Sequence, residues 1–277
     1  STVTVAPGNR DTMYAGGESG IFRSIDGGKR WTACDNAGGD IRFKRPDNYR
    51  GIAVSPHDSS LLAAGTIDGK VFLSSDAGES WRELDGLPAH VKPAAATAVF
   101  FDDTADVLYA ALGTTLYAYS RRGSSWEIRA AASAPVSDAG RYSAGDIALL
   151  YYAAGGRVYM LNEAGGKLEE SRQVPRGIAW RVLMLSPYEL LVAWKDEWQG
   201  GLVYSSDAGK TWHRRGKFDY DVGLNPTRKW KRGGERIFAL AASRSGDALV
   251  MTTDWGVFFS QDKGCSWVER VRGADNV

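Results

Sequence analysis

The sequence of 277 residues predicts an all-β fold, a six-bladed β-propeller, from its composition and from a motif that repeats along the chain. The hydrophobic fraction of 43% is too high for a disordered chain, and 33 glycines indicate many tight turns. Many short strands are therefore expected rather than long helices. A seventh blade, completed by residues outside this chain, stays open as the alternative.

The motif has the form S-x-D-x-G-x-x-W and occurs four times, with two degenerate copies between the second and the third. The intact copies contain Asp26 and Trp31, Asp76 and Trp81, Asp207 and Trp212, and Asp262 and Trp267. The degenerate copies lie at residues 123–126 and 163–168. Successive copies are 42 to 55 residues apart, which is the period of a propeller blade.

Each copy lies between two short runs of alternating hydrophobicity, so it is expected to form a hairpin turn. The aspartate accepts hydrogen bonds from turn amides, the glycine adopts a positive φ, and the tryptophan covers the turn. Two further strand-like runs precede each copy, which makes four strands per repeat. One domain spanning 1–277 is expected, with blades at about 1–35, 49–85, 95–130, 140–172, 178–216 and 235–272.

The motif resembles the Asp-box, or bacterial neuraminidase repeat, of a β-propeller superfamily. That superfamily includes sialidases, xyloglucan-active glucanases, the sortilin receptor domain and photosystem II assembly factors. Residues 14–24 and 251–260 are most similar to the glucanase, sortilin and assembly-factor branch. The resemblance implies the propeller fold, but it leaves the function open because enzymes, receptors and scaffolds share the repeat.

Half of the ten tryptophans lie outside the intact and degenerate motifs, and all of these map to the fifth and sixth blades. Because neighbouring strands run in opposite directions, these tryptophans are expected at the end of the blades opposite the motif turns. The candidate ligand-binding residues are Trp180, Trp194, Trp198, Trp230, Trp255 and Tyr220. Aromatic rings among carboxylates suit a glycan, whose apolar faces stack and whose hydroxyls form hydrogen bonds. The alternative is that these side chains pack the loop at 216–234 onto the blades.

A basic segment accompanies the tryptophans, since residues 214–236 contain eight Lys or Arg and three Asp or Glu, although the whole chain has a formal charge of only +1. The candidate basic patch is formed by Arg228, Lys229, Lys231 and Arg232, with Arg42 and Arg45 from an earlier loop. It would suit an anionic glycan, a lipid headgroup or an acidic protein, or it is simply a solvated face. The patch is too local to indicate nucleic acid.

A glycoside hydrolase would need two carboxylates at a defined separation, and the candidates are Asp196, Asp254 and Glu235. Sialidase activity is less favoured, because residues 43–46 match only part of the Arg-Ile-Pro-like segment that the resemblance requires. The sequence therefore favours a non-catalytic recognition or assembly platform for a glycan or protein partner, with a glycoside hydrolase as the alternative. No cofactor or metal is expected, since the three histidines share no metal-binding spacing.

The longest apolar run, residues 147–154, is too short to span a bilayer, so a soluble chain without a transmembrane segment is expected. The chain begins at Ser1 without Met, which fits an extracellular or periplasmic product, while a cytoplasmic location stays open. Cys34 and Cys265 are expected to be thiols rather than a disulfide. The sequence leaves the oligomeric state open.

Overall fold

The chain folds into β-strands joined by turns. A computed structural model describes residues 2–17, 20–34, 51–87, 94–163, 168–197, 200–215, 217–219, 237–243, 246–253 and 256–272. Within these ranges every regular element is a β-strand. In this part of the chain no helix is long and apolar enough to cross a membrane.

The first three blades are four-stranded antiparallel sheets whose strands pair in chain order. Blade 1 contains β1 (Thr2–Val5), β2 (Met13–Gly17), β3 (Gly20–Ser24) and β4 (Thr32–Ala33). Blade 2 contains β5 (Ile52–Val54), β6 (Leu62–Gly65), β7 (Val71–Ser74) and β8 (Arg82–Glu83). Blade 3 contains β9 (Ala96–Phe101), β10 (Val107–Leu112), β11 (Thr115–Ser120) and β12 (Ser125–Ala131).

The remaining three sheets also pair their strands in chain order, and the sixth sheet contains one additional strand. Blade 4 contains β13 (Val136–Ala144), β14 (Ile147–Ala154), β15 (Arg157–Asn162) and β16 (Glu169–Glu170). Blade 5 contains β17 (Ile178–Met184), β18 (Leu190–Lys195), β19 (Gly200–Ser205) and β20 (His213–Arg215), and β21 (Lys217–Asp219) follows it. Blade 6 contains β22 (Ile237–Ala242), β23 (Leu249–Thr253), β24 (Gly256–Ser260) and β25 (Ser266–Arg272). The fold is the six-bladed β-propeller that the repeat predicts.

The chain divides into two compact units, residues 1–139 and 140–277. In the first unit the core joins strands of successive blades, such as β7 through Leu73 and β10 through Leu108. In the second unit the core joins blades 4 and 5 in the same way, through Tyr151, Val182 and Val192. Inner strands are buried on both faces, so they consist of nearly continuous apolar residues. The single-domain organisation stays an expectation.

The pairing of strands in blade 5 defines its two ends. Ile178, the first residue of β17, pairs with Lys195, the last of β18, and Leu190 pairs with Ser205 at the end of β19. The motif turn that follows Ser205 therefore lies at one end, called the motif end below. The start of β17 and the β18–β19 connection lie at the opposite end, called the loop end.

The strand β21 was not expected, because the sequence indicates a loop over 216–234. It pairs in parallel with β25, matching Lys217 to Ser266 and Asp219 to Val268. The outer edge of a sheet presents unpaired backbone N–H and C=O groups, and a neighbouring segment that reaches this edge satisfies some of them. The composition of such a short segment does not reveal that it reaches another blade.

Candidate ligand site

The intact motifs share one hydrogen-bonded turn. In the turn after β7, the Ser74 hydroxyl donates to Asp76 (2.7 Å) and accepts the Gly78 N–H (2.9 Å). Asp76 in turn accepts the N–H (2.9 Å) and the hydroxyl (2.5 Å) of Ser80. The other three turns repeat both serine contacts and the backbone N–H contact to the aspartate within 0.2 Å. The hydroxyl contact to the aspartate recurs with Thr211 and Ser266, whereas the turn of blade 1 has Arg30 at this position. The aspartates Asp26, Asp76, Asp207 and Asp262 thus stabilise the turns.

The backbone explains the position of the glycine. In the same turn Ala77 and Gly78 have φ values of +61° and +89°. A positive φ is unfavourable for a residue with a Cβ atom, and two in succession are more so. Glycine is therefore favoured at the second position, where Cys34 also leaves little space for a side chain.

The motif aspartates are strong hydrogen-bond acceptors and not candidate acids. The Ser80 hydroxyl is the largest cause that lowers the pKa of Asp76 to about 2, and the Thr211 hydroxyl does the same for Asp207, whose pKa is also about 2. Hydrogen bonds to the ionised form lower the pKa of a carboxyl group. Because their oxygens are committed to the turn, these carboxylates are unsuited to general acid catalysis.

Two motif tryptophans also connect neighbouring blades. The Trp81 indole N–H donates to the carbonyl of Cys34, at the end of blade 1 (3.1 Å). The Trp212 indole donates to the carbonyl of Arg172, at the end of blade 4 (3.0 Å), and the Arg172 N–H donates to the carbonyl of Gly209 (2.9 Å). Trp81 also donates to the carbonyl of Gly78 in its own turn (3.1 Å), as Trp31 does to Gly28 (2.9 Å) and Trp267 does to Gly264 (3.1 Å).

The degenerate copies differ in how much they retain. In blade 3 the Gly123 N–H still donates to the Ser120 hydroxyl (3.1 Å), and Trp126 packs on Tyr119 with ring centroids 5.0 Å apart. In blade 4 the acid Glu163 pairs with Arg141 of β13 at 2.7 Å. Residues 164–167 of that copy lie outside the described residues.

Trp180 and Trp194 lie together at the loop end of blade 5. Ala179 pairs with Trp194, and Arg181 pairs with Ala193, so Trp180 is the additional residue of a β-bulge. Trp194 lies over Gly201, where a Cβ atom would come within 2.9 Å of the indole nitrogen. A bulge and a glycine therefore set the positions of the two indoles.

Three cations lie against these two rings. The Lys195 ammonium is 3.0 Å from the centroid of the Trp180 ring, and the Arg181 guanidinium carbon is 4.7 Å from it. The Arg176 guanidinium carbon is 5.9 Å from the Trp194 centroid. A cation over an indole is attracted by the negative face of the ring.

The same end of the blade carries one predicted acid. Asp196 accepts the Arg176 Nε–H at 2.5 Å, and the Arg176 side chain remains 48% exposed. We name the group formed by Arg176, Trp180, Trp194, Lys195 and Asp196 the cation–indole cluster. It combines two indole rings, the half-exposed Arg176, the partly buried Lys195 and one carboxylate acceptor.

The structure thus brings together three of the residues expected at the site: Trp180, Trp194 and Asp196. The remaining candidates lie outside the described residues: Trp198, Trp230, Trp255, Tyr220, Asp254, Glu235, Arg42, Arg45, Arg228, Lys229, Lys231 and Arg232. The sequence reasoning missed Arg176 and Lys195. Direct adjacency to a predicted tryptophan was the available signal for Lys195.

Cys34 and Cys265 are thiols, and the Cys265 sulfur accepts a hydrogen bond from Arg215 at 2.7 Å. Over the residues that the structure describes, no three His, Cys, Asp or Glu side chains are grouped as metal ligands.

The comparison with family models supports the interpretation of the motif. The model described as BNR/Asp-box repeat matches residues 203–214, which include the end of β19 and the turn to Trp212. The match falls on the motif turn of blade 5, and the hydrogen bonds of this turn recur in the other three intact copies. The fold that contains these turns has six blades. This chain is a β-propeller that contains a BNR/Asp-box repeat. A comparison with curated protein sequences finds no significant match.

Solved structures similar to this Asp-box propeller include two GH74 enzymes. The xyloglucanase from Xanthomonas campestris has a TM-score of 0.74 and 19% identity, covering 98% of this chain and 47% of that one. The enzyme from Niastella koreensis has a TM-score of 0.72 and 18% identity, covering 96% of this chain and 46% of that one. The Asp-box propeller therefore spans about half the length of these two relatives.

A further neighbour of the Asp-box propeller has a peptide bound. YCF48 in complex with a D1 peptide has a TM-score of 0.57 and 18% identity, covering 90% of this chain and 74% of that one. At these identities the similarity shows the fold alone. The similar structures thus include enzymes and a peptide-bound protein that is not described as an enzyme.

Proposed function

We propose that this Asp-box propeller is a non-catalytic recognition platform whose ligand, a glycan or a protein segment, binds at the loop end of blade 5. The observation that carries the proposal is the cation–indole cluster. Two tryptophans from different strands, Trp180 and Trp194, share one end of the blade with Arg176, Lys195 and Asp196.

The cluster suits binding because its parts are held in place. Trp180 lies on a bulge of β17, and Arg181 beside it is 4% exposed, donating to the carbonyls of Phe238 (2.7 Å) and Trp180 (2.9 Å). Side chains fixed by a rigid sheet lose little conformational freedom when a ligand binds. Indole faces and charged groups together bind ligands that carry both apolar and polar surfaces.

The structural neighbours are consistent with both ligand classes. One is a xyloglucanase and another has a peptide bound, so this fold accommodates a glycan-active protein and a peptide-binding protein. The arrangement of Asp196 favours binding over catalysis, because its charge is balanced by Arg176 at 2.5 Å.

The binding proposal is tested by replacing Trp180 with leucine. We expect binding detected on glycan and peptide arrays, and quantified by tryptophan fluorescence, to weaken by about tenfold or more, since one aromatic contact contributes roughly 1–3 kcal/mol. Tyr188→Leu is the matched control, because Tyr188 is a 67% exposed aromatic residue in the β17–β18 turn at the motif end of the same blade. Equal loss in both variants, or no loss in either, would reject the site.

A glycoside hydrolase is the second candidate, favoured by the xyloglucanase neighbours and by the position of Asp196 at the loop end. A second carboxylate, Asp254 or Glu235, would have to complete the pair. Release of reducing ends from xyloglucan or other β-glucans, abolished by Asp196→Asn, would establish this activity and replace the non-catalytic proposal. Absence of release by the folded wild-type chain would leave the binding proposal in place.

A further inference from the structure

We propose that the face of blade 6 that is turned away from blade 5 is a docking surface for a further propeller blade, beyond the six of this chain. This surface is separate from the ligand site at the loop end of blade 5. Equivalent positions in successive blades support it, because side chains of blade 5 that are buried against blade 6 have exposed counterparts on blade 6 itself.

The motif serine aligns blades 5 and 6. The residue directly before it is Tyr204 in blade 5 and Phe259 in blade 6. Tyr204 pairs with Leu191, and Phe259 pairs with Val250. Each pair joins the second and third strands of its blade, so the two pairs occupy equivalent places in the two sheets.

In blade 5 these positions are buried against the next blade. Leu191 is 0% exposed and Tyr204 is 6% exposed, and both share a core with Met251 and Phe258 of blade 6. The residue before the motif serine of blade 2, Leu73, is also 6% exposed and belongs to a core shared with blade 3. This face of a blade is therefore one that the following blade covers.

In blade 6 the corresponding face is exposed. Because side chains alternate along a strand, Val250 and Phe259 lie on the side opposite the one that packs on blade 5. Phe259 is 39% exposed, and Val268, which pairs with it, is 47% exposed. Ala241, which pairs with Val250, is exposed as well. An apolar row that crosses four strands thus remains accessible, and such a patch marks an interaction surface.

The width of the row indicates a sheet as its partner. Four strands at the usual spacing span about 14 Å, so a single extended peptide would cover only part of the row. The row also consists of apolar side chains, which offer no hydrogen bonds to the hydroxyls of a glycan. On blade 5 the covering layer is a four-stranded sheet, blade 6, and an apolar sheet face is typically buried by another such layer.

The contact between blades 5 and 6 further specifies which side of the partner sheet fits. It joins two unlike faces, since blade 5 contributes Tyr204 while blade 6 contributes Phe258 and the motif tryptophan Trp267. The same face of a second copy would present Phe259 again and lack the tryptophan. We therefore assign the surface to a blade that presents its motif-tryptophan face, as blade 6 does to blade 5.

The experiment adds such a blade to the full chain, as a second copy of residues 216–272 joined after Val277. The copy carries Met251 and Phe258, which lie on the side that covers blade 5 in the existing contact. Val250→Cys in the original blade 6 reports on the surface through its rate of alkylation by iodoacetamide, measured by peptide mass spectrometry. We expect the rate to be about tenfold or more lower in the extended chain than in the chain of 277 residues, because the added sheet protects the position.

Two controls accompany this measurement. An extended chain with Met251→Lys and Phe258→Lys in the copy alone has lost its apolar face, so Val250→Cys should react as fast as in the chain of 277 residues. Ser59→Cys, at an exposed position of blade 2, should react at the same rate in all three chains. Thermal melts confirm that the chains are folded, and Val250→Cys changes the side-chain volume little.

The outcomes distinguish a further blade from other partners. An unchanged rate in the extended chain overturns the proposal, and so does equal protection by the lysine-bearing copy. Slow alkylation in the monomeric chain of 277 residues also overturns it, because part of the same molecule would then cover the face. If sedimentation velocity shows that this chain self-associates, and Phe259→Lys abolishes the association, a second copy is the partner instead.

Discussion

The serine that opens each intact motif contributes as much to the turn as the aspartate. The four serines are 0 to 3% exposed, and each hydroxyl donates to the aspartate while accepting the glycine N–H. No apolar side chain of similar size can do either, and a buried N–H without a partner is costly. This accounts for a serine at the first position of every intact copy.

Replacement of Ser74 by alanine is expected to destabilise the protein by about 1–3 kcal/mol, because the buried Gly78 N–H loses its acceptor. Chemical denaturation followed by tryptophan fluorescence measures the free energy of unfolding. Ser59→Ala, at an exposed serine of the same blade, is the control and should change it by less than about 0.5 kcal/mol. A similar change in both variants would contradict the assigned role.

Two tryptophans test the value of the bond between blades. Trp212 donates to Arg172 at the end of the preceding blade, whereas the buried Trp126 indole N–H has no hydrogen-bond partner among the described residues. Trp212→Phe and Trp126→Phe remove the same atoms, so the difference between them isolates the hydrogen bond. We expect Trp212→Phe to lower the free energy of unfolding by about 1 kcal/mol more than Trp126→Phe. Equal losses would mean that the bond between blades contributes little.

At the scale of elements, a motif turn both closes a hairpin and packs on the end of the preceding blade. Gly209, in the turn of blade 5, lies against Ser171 of blade 4, and Trp212 donates to Arg172 beside it. Side chains of inner strands add a second connection, since Thr97 of β9 donates to the Val136 carbonyl of β13 (3.0 Å). Contacts between blades are thus present at outer strands, between blades 4 and 5, and at inner strands, between β9 and β13.

Gly209→Ala tests the packing at the outer connection. A Cβ atom at Gly209 would lie 2.4 Å from the Ser171 Cβ, and φ is +79°. Gly8→Ala is the matched control, because φ is +75° there and, among the described residues other than its chain neighbours, no atom lies within 4 Å of the added Cβ. Both variants share the cost of a left-handed alanine, and the contact with Ser171 should add about 1–3 kcal/mol to Gly209→Ala. Equal melting temperatures for the two variants would contradict this account.

At the scale of the whole molecule, the repetition of one turn makes stability depend on pH. Asp76 and Asp207 have pKa values of about 2 in the folded chain, whereas an unfolded aspartate has a pKa of about 4. Because the folded values are lower, the unfolded state binds protons first as the pH falls. The stabilisation by these groups is complete above about pH 4 and is lost as the pH approaches about 2.

We therefore expect the melting temperature to fall between about pH 4 and pH 2, where these aspartates become protonated. Asp76→Asn removes one titrating group, so its melting temperature should start lower and decline less steeply over this interval. Differential scanning calorimetry at several pH values measures both profiles. Parallel profiles for wild type and variant would show that Asp76 does not contribute to the acid sensitivity.

The blade count and the structural residues of the motifs were predictable, since they depend on local patterns. A serine, an aspartate and a glycine within five residues make a turn whose hydrogen bonds are nearly all internal. The loop-end position of Trp180 and Trp194 followed from strand alternation alone. The fifth strand of blade 6 could not be predicted, because Lys217 to Asp219 pair with residues about 50 positions away.

By itself, the sequence determined an all-β propeller of six blades and the end of blade 5 that carries the additional tryptophans. Only the tertiary structure decided what surrounds those rings. Arg176 meets Asp196 across 20 residues of chain, and Lys195 meets Trp180 from the opposite strand. The physical reason is range: turn geometry and hydrophobic alternation act between near neighbours in the chain. Salt bridges and cation–ring contacts instead depend on side chains that the folded sheet brings together.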